Sequence, residues 1–124
     1  MSKRILIVED DDMSRELARR VLNRAGFTCI ETANGSDVMR IAVQEQPDVI
    51  LMDYHLPGAD GVELTKHLTH TAATRHIPVI ALTADIYVRR QFLEAGAAQY
   101  LVKPLGKRSL LKAIESVTHE RQLA

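Results

Sequence analysis

One cysteine, Cys29, is the whole thiol content of the chain, so no disulfide can form within it. Charge of one sign is missing too. Lys+Arg and Asp+Glu both number 16, whereas a general binder of nucleic acid or of anionic membrane carries a basic excess. No apolar run approaches the ~18 residues of a membrane span. The basic start Met1-Ser2-Lys3-Arg4 is followed by only four apolar residues before acids begin, which is no signal-peptide core. Repeats, linkers and low-complexity tracts are absent. So is a Gly- or Ser/Thr-rich phosphate loop after the first apolar run, where a flavin or nucleotide module would need one. Glu9-Asp10-Asp11-Asp12 stands there instead and repels phosphate unless a cation intervenes. The expectation is a cytoplasmic protein with no membrane insertion and no direct contact with nucleic acid.

What is present fits one domain over residues 1–124, with 46% hydrophobic residues to build a core. Apolar runs predict strands at 5–8, 27–32, 48–52, 77–82 and 98–102. The third is continuous enough to be buried on both faces. The second is mixed and suits a sheet edge. Between them lie helical patterns. Met13, Leu17, Val21 and Leu22 form one stripe, with Asp11 or Asp12 as cap and Gly26 as stop. Asn34-Gly35 turns the chain into a helix carrying Val38, Ile41 and Ala42, which stops before Pro47. Asp60-Gly61-Val62-Glu63 has capping-box spacing and opens a third helix, after which residues 71–76 read as a loop. A fourth helix is expected from about Ile86 to Ala95, and a fifth carries Leu110, Leu111, Ile114 and Val117. Strand and helix alternate five times. The fold class is therefore α/β: a doubly wound five-stranded parallel sheet, flavodoxin-like, of order 2-1-3-4-5, with helices on both faces.

In such sheets the chemistry sits at the carboxyl ends of the strands. Strand one delivers Glu9 and Asp10 there, strand three Asp53, strand four Thr83 and strand five Lys103. Neighbouring strands lie ~4.8 Å apart, so three carboxylates crowd together and raise one another's pKa. A cation resolves the conflict. Carboxylates with room for water suit Mg²⁺, with Mn²⁺ an alternative, and no thiol or histidine cluster favours zinc. Asp53 can then act as a nucleophile that takes a phosphoryl group as an acyl phosphate. The Lys103 ammonium and the Thr83 hydroxyl can pair the phosphoryl oxygens. Singly, each residue has a plainer role: a helix cap for Asp11 or Asp12, a turn for Asp53, a cap for Thr83, a solvated charge for Lys103. Four strand ends supplying complementary chemistry at once is a stronger signal than any one of them.

These residues are also a pattern. Ile5-Leu6-Ile7-Val8-Glu9-Asp10, Met52-Asp53 with Leu56-Pro57 and Asp60-Gly61, Ala81-Leu82-Thr83-Ala84, and Lys103-Pro104 occur in this order over Lys3 to about Val117. In this the chain resembles the receiver domains of two-component response regulators. The resemblance implies that Asp53 is the phosphoacceptor, Asp10 a direct Mg²⁺ ligand, and Glu9 a ligand through water. It implies that His55 gives its backbone carbonyl to the metal and that Lys103 binds the phosphoryl group ahead of a cis Lys103–Pro104 bond. Thr83 is the implied switch hydroxyl, with Ala84 leaving room beside it, and Tyr100 the implied switch aromatic. Phosphorylation would then change the surface of the fourth helix, fifth strand and fifth helix. The implied partners are a sensor histidine kinase or histidine phosphotransfer protein as donor and a downstream protein as target. The chain would act only on itself, in its own phosphorylation and dephosphorylation.

The expected form is a stand-alone receiver; a receiver cut from a hybrid kinase or longer regulator is the alternative. Some positions depart from the family pattern: Leu105-Gly106 follows Lys103-Pro104 where an aromatic is common, and Ala59 replaces a bulky residue. Asp11 and Asp12 add negative charge beside the metal site, and His55 and Asp85 occupy variable flanking positions. A phosphatase with an aspartate nucleophile, of the haloacid-dehalogenase kind, would want a second acid at position 55, where His55 stands. His67 and His70, three apart, read as surface residues, Cys29 as a small apolar strand residue, and Arg89-Arg90 as a solvated helix face.

Overall fold

The computed structural model describes residues 3–123; Met1 and Ser2 of the basic start lie outside them. The strands are β1 (Arg4–Val8), β2 (Thr28–Thr32), β3 (Val49–Met52), β4 (Val79–Thr83) and β5 (Gln99–Val102). The helices are α1 (Asp12–Arg24), α2 (Val38–Glu45), α3 (Gly61–Thr69), α4 (Arg89–Glu94) and α5 (Lys107–Leu123). All pairings in the five-stranded sheet are parallel, in the order β2-β1-β3-β4-β5. That is the expected doubly wound order, with β1 and β3 adjacent at its switch point. Among the described residues no helix is long and apolar enough to cross a membrane.

Strand alternation divides the core in two. Leu6, Val8, Ile50, Met52, Val79 and Ala81 face α2, α3 and α4, where they meet Val38, Leu68 and Phe92. Ile5, Ile7, Val49, Leu51 and Ile80 face α1 and α5, where they meet Leu22, Leu110 and Ile114. Every residue of β3 is buried, as its unbroken apolar run requires of a central strand. Each large side chain fully buried in this way contributes about 1.5–3 kcal/mol. β2 is half-buried and pairs with β1 alone, so the mixed strand is indeed at an edge.

Several details differ from the sequence expectations. On α1 the buried residues are Ala18 and Leu22, while Met13 is 81% and Leu17 46% exposed. The predicted stripe is thus rotated, because Ala18 is small enough to let the helix sit close to the sheet. Of the two expected cap candidates Asp11 takes the role, as the sequence allowed, its side chain accepting from the Ser14 N–H at 2.8 Å. Pro78 stands just before β4, its carbonyl accepting from Ile50 N–H at 3.0 Å. The predicted single helix at 86–95 begins as a 3₁₀ turn, Ile86–Val88, before α4. The segment after β3 contains an unanticipated antiparallel ribbon, His55–Leu56 with Ala59–Asp60. Pro57 presets its turn and Gly58, at φ +66°, takes the left-handed position. Asp60 then caps α3 by accepting from Val62 N–H at 2.7 Å and Glu63 N–H at 3.4 Å.

Candidate active site

β1 and β3 end side by side, with Val8 in register with Met52. The next residues of each strand therefore emerge together. The Asp53 N–H still donates to the Val8 carbonyl, at 3.1 Å, and the Glu9 N–H to the Thr32 carbonyl, at 3.1 Å, so both acids are set by the last rung of the ladder. Ligand oxygens of Glu9, Asp10 and Asp53 lie within 4.8 Å of one another, Glu9 and Asp53 buried and Asp10 exposed. One Asp53 oxygen accepts from the Tyr54 N–H at 2.7 Å.

Lys103 reaches in from the end of β5. Its Nζ lies 2.7 Å from Glu9 Oε2 and 3.3 Å from Asp53 Oδ2. The Lys103–Pro104 bond is cis, as the resemblance implied. One ammonium thus serves two buried carboxylates, with Asp10 adding a third beside them. Burial raises the Glu9 carboxyl to about 7; the Lys103 hydrogen bond partly offsets this, and the Asp53 charge reinforces it. For Lys103, burial alone would lower the pKa, but the Glu9 hydrogen bond and the Asp53 charge outweigh it and raise the pKa. Lys103 is therefore a fixed cation. The surplus of buried negative charge falls on the acids, which is the setting a divalent cation relieves.

Gly61 brings α3 against this group. A Cβ at Gly61 would stand 1.9 Å from the Asp53 carbonyl oxygen, and the Gly61 N–H donates to the Tyr54 carbonyl at 3.0 Å. Only a glycine lets the helix start this close to the backbone of Asp53. Outside it, a cleft of about 430 Å³ is lined by Asp10, Tyr54, His55, Leu56, Pro57, Ala59 and Asp60. His55 is exposed on its rim, with its ring 4.6 Å from that of Tyr54.

Thr83 and Tyr100 meet at one residue. Thr83 is buried at the end of β4, and its hydroxyl accepts from the Asp85 N–H at 3.2 Å. The Tyr100 hydroxyl donates to the Asp85 carbonyl. The Asp85 side chain accepts from the Tyr87 N–H at 2.9 Å and so starts the 3₁₀ turn. Sequence reading placed Asp85 only as a flanking position; its backbone is where the two switch candidates join. The structure brings Glu9, Asp10, Asp53 and Lys103 into one group and holds Thr83 and Tyr100 beside it on Asp85. His67 is exposed on α3 and His70 is exposed just past its end, consistent with their reading as surface residues.

Residues 5–115 match the response regulator receiver domain family. The phosphate regulon transcriptional regulatory protein PhoB of Pseudomonas aeruginosa is 38% identical over 119 residues, which are 94% of this chain and 52% of PhoB. The chain thus spans about half the length of that curated relative. The polar-differentiation response regulator DivK of Brucella anthropi is 36% identical over 118 residues, covering 94% of this chain and 96% of DivK. Among solved structures, the receiver domain of sensor histidine kinase PA1611 from Pseudomonas aeruginosa PAO1, with magnesium ion coordinated in its active site cleft, superposes with a TM-score of 0.89 at 30% identity. That superposition covers 96% of this chain and 99% of the other.

Proposed function

The chain belongs to the response regulator receiver domain family, and on that premise we propose that Asp53 accepts a phosphoryl group from a phosphohistidine in a Mg²⁺-dependent reaction. The carrying observation is the Lys103 ammonium set 2.7 Å from Glu9 and 3.3 Å from Asp53. A carboxylate oxygen of Asp53 forms the new O–P bond as the P–N bond to the donor histidine breaks, its electron pair leaving on the imidazole nitrogen. Tyr54 N–H holds one Asp53 oxygen and Lys103 the other, which orients the carboxylate for in-line attack.

Glu9, Asp10 and Asp53 would hold the cation, as hard oxygen ligands suited to Mg²⁺, with the His55 carbonyl as a further ligand. When bound, the cation neutralises charge on the phosphoryl oxygens. Lys103 supplies the second positive centre. The Thr83 hydroxyl leaves Asp85 to pair a phosphoryl oxygen, which frees Tyr100 to move and alters the surface of α4, β5 and α5. A downstream protein reads that surface, and the donor is a sensor histidine kinase or a histidine phosphotransfer protein.

In this reading the chain acts on no separate substrate. It forms and hydrolyses its own aspartyl phosphate, works in the cytoplasm, and folds as one receiver unit over residues 1–124. The coverage of PhoB supports a second reading, in which the same unit serves within a longer regulator. The expected result is Mg²⁺-dependent labelling of the wild type by acetyl phosphate. Labelling that persists undiminished in Asp53→Asn, with no other acceptor found, would overturn the assignment.

A further inference from the structure

Aromatic rings are few in this chain, and three of them stand in a row beside the site. Tyr54 follows Asp53 directly, and its ring meets that of Phe92 edge-on, with centroids 6.3 Å apart and planes at 75°. Phe92, fully buried on α4, meets Tyr100 at 6.2 Å and 56°. Between the outer two runs β4, whose Ala81 is in register with Met52 on one side and Tyr100 on the other. Ala81 carries only a methyl group, and Phe92 packs in the same cluster. Tilted and edge-on contacts at these separations are directional, so a shift of one ring is felt by the next.

The backbone of Tyr54 is tied to the acceptor. Its N–H donates to Asp53 Oδ1 at 2.7 Å, and its carbonyl accepts from Gly61 N–H at 3.0 Å. A phosphoryl group on Asp53 changes the charge that this N–H faces. We propose that Phe92 is a positioning residue: its ring, set between Tyr54 and Tyr100, ties the backbone beside Asp53 to the switch aromatic by a path that does not pass through Thr83. The inference rests on the acceptor role proposed for Asp53. It adds a route through packed rings on the helix side of the sheet to the hydroxyl route through Asp85.

Five proteins test it: wild type, Thr83→Ala, Phe92→Leu, the double variant of these two and Tyr54→Leu, each titrated with Mg²⁺ and beryllofluoride while the Tyr100 ring is followed by NMR. Thr83→Ala should keep part of the Tyr100 response, and the double variant should lose it. Phe92→Leu alone should weaken beryllofluoride binding about threefold or more, within the range that such couplings span, while labelling of Asp53 by acetyl phosphate persists. Tyr54→Leu, at the half-buried end of the row, should like Phe92→Leu reduce the Tyr100 response in part, the Thr83 route being intact in both, and guards against a folding defect in the core variant. A Tyr100 response abolished by Thr83→Ala alone, or unchanged in both Phe92→Leu and Tyr54→Leu, would overturn the ring path and leave the acceptor role intact. Failure of the wild type to be labelled would overturn both.

Discussion

The two faces of the sheet are built from different material. The face under α1 and α5 is aliphatic at its centre, with Ile5, Ile7, Leu51 and Ile80 against Leu22, Leu110 and Ile114. Its two helices run 13 and 17 residues without interruption. The face under α2, α3 and α4 contains Phe92 with Tyr54 and Tyr100 packed against its cluster. Two of its helices, α2 and α4, are short and entered through 3₁₀ turns. Long helices on branched aliphatic side chains have few alternative packings. Short helices entered through tight turns, over rings that can tilt, have more. The difference teaches that a scaffold and a moving part can share one sheet, divided by the alternation of side chains along each strand.

The sharpest way to break this division is to damage the aliphatic face alone. Ile114→Ala should cost about 2–5 kcal/mol in denaturant unfolding, the largest effect expected here. The Tyr100 response to beryllofluoride should survive in the protein that remains folded. A response lost along with stability would show that the faces do not work separately.

Next comes the edge that both faces share. The Glu9 pKa, raised to about 7 from an ordinary 4.5, means that the folded state holds a proton which the unfolded state has shed. Glu9 therefore adds stability that is fully present below about 4.5 and lost as pH rises through about 7. Metal needs the ionised form, so Mg²⁺ affinity should fall as pH drops below about 7, by at most about tenfold per pH unit for one released proton. Glu9→Gln should flatten both trends, read by unfolding without metal and by Mg²⁺ titration across pH. Trends that persist in Glu9→Gln would move this proton to another group.

The smallest effect is expected outside both faces. Met13 is 81% exposed on α1, so Met13→Ser should change stability by no more than about 0.5 kcal/mol. A larger loss in thermal unfolding would restore Met13 to the core, where its helical spacing had placed it.

That misplacement marks the limit of the sequence. The sheet order and the acidic cluster were legible because each central strand is an unbroken apolar run that stops at a chemical group: Val8 at Glu9, Met52 at Asp53, Leu82 at Thr83. Apolar runs of this length, rich in β-branched residues and bounded by polar turns, read as parallel strands buried on both faces. The rotation of α1 was not legible, since Ala18 carries too little surface to outweigh Met13 and Leu17 in a helical pattern. The ribbon at His55–Leu56 and Ala59–Asp60 is too short to alternate. Thr74, read as part of a polar loop, is buried because its hydroxyl donates to the Leu68 carbonyl at 2.7 Å. Tyr54 and Phe92 lie far apart in the chain, and no local signal joins them. Tertiary placement decided each of these cases.

Asp85 is held at three points: its N–H by Thr83, its carbonyl by Tyr100 and its side chain by the Tyr87 N–H. With three holds meeting on one residue, releasing one loosens the others, so they let go together. On the proposed function, a rising signal would be registered as a growing tally of fully turned molecules, each one either set or unset, and not as a dial turned partway in all of them.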